Sequence, residues 1–154
     1  MRYWLMKTEP GTFGIEHLAA APRSTSAWDG VRNFQARNML RDEMRRGDQA
    51  FLYHSSCAVP GIVAVMQIVK QGYPDPTAFD RKHHHYDPDS DPGNPRWFMV
   101  DVQLRRRLAR TIALEELRAH AGKELKGMVL LRPGNRLSIM PVEAAHWKFI
   151  LSLE

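Results

Sequence analysis

Residues 28 to 56 constrain this chain more than any other stretch. They open with a Trp28-Asp29-Gly30 turn, continue through Asn33 at a helix entry, and close on Tyr53-His54-Ser55-Ser56. Between Arg32 and Arg46 the period is helical, with Ala36, Met39, Leu40 and Met44 on one face. Gly47 stands where a left-handed C-cap is expected, and Arg45 and Arg46 in the last turn complement the helix dipole. Gln49 to Ser55 then reads as a strand. Apolar residues fill the middle of this helix–strand unit, and polar groups able to read a small ligand cluster at its two ends. That is the layout of a binding pocket, for which the rest of the chain must supply further walls.

The flanking segments predict short, interleaved elements. Tyr3 to Thr8 reads as a buried first strand, ended by Glu9-Pro10-Gly11 because Pro lacks the ladder donor and Gly admits a turn. Phe13, Ile15 and Leu18 suggest a short helix with Gly14 as a permissive N-cap, and Ala19 to Ala27 a loop broken by Pro22. Pro60-Gly61 turns the chain into Ile62 to Val69, an apolar strand antiparallel to the one before it. Gly72 to Pro95 holds five prolines and no periodicity, an irregular excursion of a kind that is usually functional or mobile. Alternation returns from Arg96 to Arg107, with Phe98, Val100, Val102 and Leu104 on one face.

Thr111 to His120 predicts a helix capped by Thr111, and Leu125 to Leu131 either a helical turn or a strand. Leu137 to Met140 predicts a last strand, and Pro141 opens a helix carrying Trp147, Phe149 and Ile150. Strands and helices mix without βαβ regularity. The expected class is therefore α+β, one domain over residues 1–154 built on a curved, mainly antiparallel sheet or barrel.

A 154-residue chain that is 44% hydrophobic can bury the core of one such domain. Its formal charge of +5 favours an anionic partner such as nucleic acid. The single cysteine, Cys57, excludes an internal disulfide framework and a cysteine-rich zinc site. The apolar run near Met1 is too short for a signal peptide, and no stretch approaches membrane-spanning length. These features lead to the expectation of a soluble protein of a reducing compartment, the cytoplasm, with no membrane partner.

Several constellations carry chemistry. Lys7-Thr8-Glu9 brings a cation, a hydroxyl and a carboxylate to a strand tip, as a reading head or an ordinary charged end. Trp28 offers a stacking face or a core plug, and Asn33 either a base-reading amide or a helix cap. In a strand, Tyr53 and Ser55 point one way and His54 the other. His54 near Cys57 invites a thiol-nucleophile reading, but no Asn or Asp is placed to orient the imidazole. His83-His84-His85 lack the i, i+4 spacing of a helical metal pair, so a solvated loop and no metal are expected. Arg105-Arg106-Arg107, with Arg37, Arg41 and Arg45 on one helical face, reads as phosphate contacts or plain surface.

Taken together, the blocks Tyr3-Trp4-Leu5-Met6-Lys7-Thr8-Glu9-Pro10, Trp28-Asp29-Gly30-Val31-Arg32-Asn33, Tyr53-His54-Ser55 and Arg132-Pro133-Gly134-Asn135-Arg136-Leu137-Ser138 resemble the EVE-domain family. Asp75-Pro76-Thr77 and Arg96-Trp97-Phe98 extend the likeness over nearly the whole chain. The resemblance implies a PUA-like curved β-barrel flanked by short helices, akin to YTH and ASCH modules. It also implies a non-catalytic reader of a flipped modified base, 5-methylcytosine or an oxidised derivative in DNA or a modified base in RNA, needing no cofactor.

The implied pocket is Lys7, Thr8, Glu9, Trp28, Asn33, Tyr53, His54 and Ser55, with Trp97 a further wall. Arg32, Arg37, Arg105 and Arg107 would hold phosphates. Thr8 replaces the family's usual Ser, which keeps the hydroxyl and adds a methyl. Two rival readings stand beside this one: an enzyme using Glu9, Asp29 or His54 as acid–base groups, and a protein-interaction module with a vestigial pocket.

Overall fold

The computed structural model describes residues 1–154. Its strands are β1 (Tyr3–Thr8), β2 (Thr25–Ala27), β3 (Gln49–His54), β4 (Gly61–Pro74), β5 (Phe98–Ala113) and β6 (Ile139–Val142). The helices are α1 (Ile15–Ala20), α2 (Phe34–Asn38), α3 (Leu114–Ala119) and α4 (Ala144–Leu151). All six strands join one sheet in the order β2-β5-β4-β3-β1-β6. Every neighbouring pair is antiparallel except β1 and β3, which run parallel from Tyr3 opposite Gln49 to Thr8 opposite His54. The carboxyl ends of β1 and β3 therefore leave the sheet side by side.

The α+β class and the mainly antiparallel sheet stand. The barrel is a looser description, because β2 and β6 remain open edges. Curvature comes from the β4–β5 ladder, whose register shifts at four places between Ile62 and Tyr73. Each bulge bends the strand and increases its twist. No helix is long and apolar enough to cross a membrane.

The period-2 alternation of β1 and β3 sorts their side chains onto two cores. Trp4, Met6, Ala50 and Leu52 pack with Leu18, Trp28, Leu40 and Met66 on one face. Leu5, Phe51 and Tyr53 pack with Leu117, Met140, Trp147 and Ile150 on the other. Trp147 stacks on Phe51 at 3.8 Å and on Tyr3 at 4.6 Å between ring centroids. Each such large apolar side chain contributes roughly 1.5–3 kcal/mol on burial.

Where β1 and β3 begin, the carboxylate of Asp48, 3% exposed, accepts N–H groups from Arg2 (3.1 Å), Trp4 Nε1 (3.0 Å) and Arg45 (3.0 Å). Burial works to raise its pKa, but these donors outweigh it and hold Asp48 below the usual carboxylate range.

Five sequence expectations shift. The helix read over residues 32–46 is shorter, α2 continued by a π-helical turn over Met39–Glu43 with an i→i+5 bond, Met44 N–H to Met39 O at 2.9 Å, before Met44 turns extended. Gly47 therefore caps no helix; its positive φ of 98° serves the turn into β3, and its N–H bonds Ile68 O at 2.8 Å. Strand β5 runs through Thr111, so Ala113 rather than Thr111 precedes α3. Pro141 lies inside β6 instead of opening a helix, which is tolerated because β6 is an edge strand. Part of the loop read over residues 19–27 also pairs, as β2 against β5.

Candidate functional site

The ends of β1 and β3 open into a cleft of about 800 Å³. Lys7, Thr8, Glu9 and Ser55 line its floor, and the turn from Trp28 to Arg32 forms one wall with Phe13. His84 and His85 extend that wall, with the His85 ring against Gly30, and Arg136, Leu137 and Ser138 complete the rim. The last group arrives there because Lys7 N–H bonds Ser138 O at 2.8 Å, just beyond the β1–β6 ladder.

Both readings of Trp28 meet in one residue. It is 7% exposed, lies edge-on to Phe13 at 6.3 Å, and is held by its backbone N–H to Val100 O at 2.8 Å. It is thus part of the core and part of the cleft wall. The indole N–H groups of Trp4 and Trp97 are taken by Asp48 and Asp87, whereas that of Trp28 has no partner in the chain.

The wall is fixed from beneath by Asp75, which is fully buried. One of its oxygens accepts Gly30 N–H at 2.8 Å and Arg32 Nη1 at 3.1 Å; the other accepts Thr77 N–H at 2.9 Å and Thr77 Oγ1 at 2.6 Å. Burial favours the neutral acid, yet the donors from Thr77, Gly30 and Arg32 prevail and hold Asp75 below the usual carboxylate range. Arg32 also donates to His85 O at 2.7 Å and to Thr77 Oγ1 at 3.2 Å. Gly30 adopts φ +77°, and a Cβ there would collide with the His85 ring. The Trp-Asp-Gly turn and the histidine loop are therefore clasped together.

The site's charge is mixed. Lys7 and Arg136 line the cleft without joining any ion pair, and Glu9 and Asp29 do so likewise. Burial lowers the Lys7 pKa, and its ammonium lies 5.8 Å from the Tyr53 ring centroid. Thr8 Oγ1 donates its proton to Phe13 O at 2.7 Å, which leaves the hydroxyl's lone pairs as its free polar function.

Several residues named from the sequence lie away from the cleft. Asn33 is exposed and caps α2, its Oδ1 accepting Ala36 N–H at 2.9 Å, so the capping reading holds for its amide oxygen. Tyr53, 2% exposed, belongs to the opposite core. His54 Nε2 accepts Ile15 N–H at 3.1 Å at the start of α1, and burial holds its pKa below the ordinary value. Trp97 is 6% exposed, stacks on Phe34 at 4.8 Å, and donates to Asp87 at 2.5 Å.

The arginines are also committed elsewhere. Arg32 turns inward to Asp75, Arg37 reaches Arg96 O at 2.6 Å, Arg105 bonds Gln67, and Arg107 grips Glu16 at 2.7 and 3.1 Å. The structure brings Arg136 to the rim instead. Its sequence signal was the Pro133-Gly134-Asn135 turn, which leads toward the strand paired with β1.

The histidines lie in an irregular loop, as expected, yet close to one another. Adjacent histidines cannot converge from a regular element, but residues 80–90 form no helix or strand, and nitrogen atoms of His83, His84 and His85 lie within 4.8 Å of one another. Burial, then the neighbouring His84, holds the His85 pKa below its ordinary value.

With this geometry in place, three comparisons are informative. The EVE domain family model matches residues 2–153. Thymocyte nuclear protein 1 of Danio rerio is 49% identical over 98% of this chain and 71% of its own length. A crystal structure of human THYN1 protein in complex with 5-methylcytosine-containing DNA superposes with a TM-score of 0.94 at 48% identity, covering 99% of this chain and 97% of that one. An ASCH protein of Zymomonas mobilis shares the fold at 9% identity, covering 99% of each chain with a TM-score of 0.56. The relative's name is that of a nuclear protein, which overturns the expectation of a cytoplasmic one.

Proposed function

Because this chain belongs to the EVE-domain family, we propose that its cleft receives a flipped modified base from DNA, 5-methylcytosine first, and binds it without chemical change. The observation that carries this reading is the likeness to the human DNA complex over the whole fold. The cleft's volume of about 800 Å³ is of the size that holds small ligands.

Extruding a base costs a few kcal/mol, and stacking on an aromatic face returns about 1–3 kcal/mol. Trp28 supplies the apolar wall. Cytosine is distinguished by its exocyclic amino donor, which carboxylates accept. Glu9, Asp29 and the lone pairs of Thr8 are acceptors in the cleft, and the Trp28 N–H and Lys7 are donors for the ring's carbonyl edge. Arg136, at the rim and without an ion pair in the chain, would hold a flanking phosphate. Acid–base chemistry finds less support: His54 is spent on the start of α1, which leaves only the carboxylates Glu9 and Asp29 in the cleft to serve it. A modified base presented by RNA offers the same edge, and its backbone is the variable to test.

Fluorescence anisotropy with duplexes carrying one 5-methylcytosine, cytosine or thymine, and with matched RNA, tests the reading. Tightest binding to 5-methylcytosine DNA is expected, with Asp29→Asn or Glu9→Gln narrowing the margin over thymine. Equal affinity for all duplexes, or a new product by mass spectrometry, would overturn it. Trp28→Phe is a sharper probe than Trp28→Ala. Truncating so buried a tryptophan costs about 3–5 kcal/mol of stability by itself.

A further inference from the structure

We propose that His83, His84 and His85 form a binding site for a divalent transition metal of the zinc, nickel and copper class at the mouth of the cleft. The first support is convergence: one ring nitrogen from each lies within 4.8 Å of the others. Nitrogens sharing a metal at bonds of roughly 2.0–2.1 Å sit about 3.3 Å apart, so completing the set takes a turn of the His84 ring out of its stack on His83, where the two rings lie 4.6 Å apart at 16°. His84 is exposed and free to supply that movement.

The second support is an orphaned atom. His85 Nδ1 is the one buried side-chain nitrogen or oxygen of the chain without a hydrogen-bond partner. Buried polar atoms almost always have a partner, and a missing ion is one physical explanation for an exception. A metal bound to its lone pair satisfies it.

The third support is preorganisation. Arg32 holds His85 by its carbonyl at 2.7 Å, and the bare Gly30 leaves room for its ring. His85 N–H in turn bonds His83 Nδ1 at 3.0 Å, which orients that ring and leaves its Nε2 for the metal. Such supporting hydrogen bonds on ligand histidines are a regular part of metal sites.

The donor set selects the ion. Three imidazoles suit zinc, copper and nickel, whereas calcium and magnesium require oxygen ligands. A fourth position remains for water or an anionic oxygen, next to a cleft that His84 and His85 themselves line. The site stands whether or not that cleft takes a base.

The test uses the full chain without an affinity tag, stripped by a chelator and titrated with Zn²⁺ or Ni²⁺ by calorimetry, and with Co²⁺ by visible absorption. One ion per chain is expected, with no response to Mg²⁺. His84→Ala and His83→Ala should each weaken binding by about tenfold or more, the scale on which even supporting groups act. His17→Ala and His120→Ala, which alter histidines outside the loop, should leave it unchanged. Since His84 is exposed, the metal-free melting temperature of His84→Ala should match that of the parent. Absence of saturable binding, or undiminished affinity in His84→Ala, would overturn the proposal.

Discussion

Asp48 and Asp75 are both buried carboxylates held below the usual range, at two different regions of the molecule. Asp48, where β1 and β3 begin, accepts only N–H groups of neutral backbone and indole. Asp75, under the cleft, accepts backbone and hydroxyl donors as well, but adds the guanidinium of Arg32. The sheet ladder already fixes what Asp48 holds. The turn at residues 28–32 and the loop at residues 75–85 have no ladder between them, so Asp75 and Arg32 are what join them. The first acid secures a scaffold, and the second secures a site.

The largest expected effect comes from Asp75→Ala, which strands Arg32 and frees both loops. Removing one partner of a buried pair costs about 3–5 kcal/mol, and urea unfolding should show it alongside lost oligonucleotide binding. Asp48→Asn should cost about 1–3 kcal/mol by the same measurement, since it turns an acceptor toward three donors into a poorer one. Its oligonucleotide affinity, measured on folded protein, should stay unchanged; a parallel fall in affinity would break the distinction between scaffold and site.

Smaller again is Asn33→Ala, which loses a helix cap worth about 1 kcal/mol and leaves base discrimination intact. A loss of discrimination there would return Asn33 to the pocket. Near neutrality the pH effect is smallest. Both acids titrate lower folded than the ordinary value of about 3.9, so their stabilisation is complete above that pH. It fades as the pH falls through their folded values. Melting temperatures measured down the acid limb should fall less steeply in the Asp48→Asn variant than in the parent.

The sequence showed the scaffold better than the site. Alternation alone placed β1 at Tyr3 to Thr8, where it is observed, and β3 within a residue. It also put Tyr53 and His54 on opposite faces, but not which face is lined by α3 and α4, so Tyr53 was assigned to a pocket it does not line. Arg32 was expected to hold a phosphate because a local reading cannot see an acid 43 residues away. Trp97 misled for the same reason, its partner Asp87 lying in a stretch without periodicity. The family resemblance supplied what local pattern could not, and Lys7, Thr8, Glu9, Trp28 and Ser55 do line one cleft. The histidine loop stayed illegible because rules of regular spacing do not govern irregular backbone.

Strand β1 lies between β3 and β6, so its two neighbours are made far apart in time, with β6 more than 80 residues after β3. During synthesis at roughly 5–20 residues per second, β1 waits some seconds for its second neighbour. Throughout that interval β1 presents an edge of unpaired backbone N–H and C=O groups, a template for pairing with another chain. The wall at Ser138 is missing for as long, so a ribosome-bound chain lacks a complete cleft until β6 emerges.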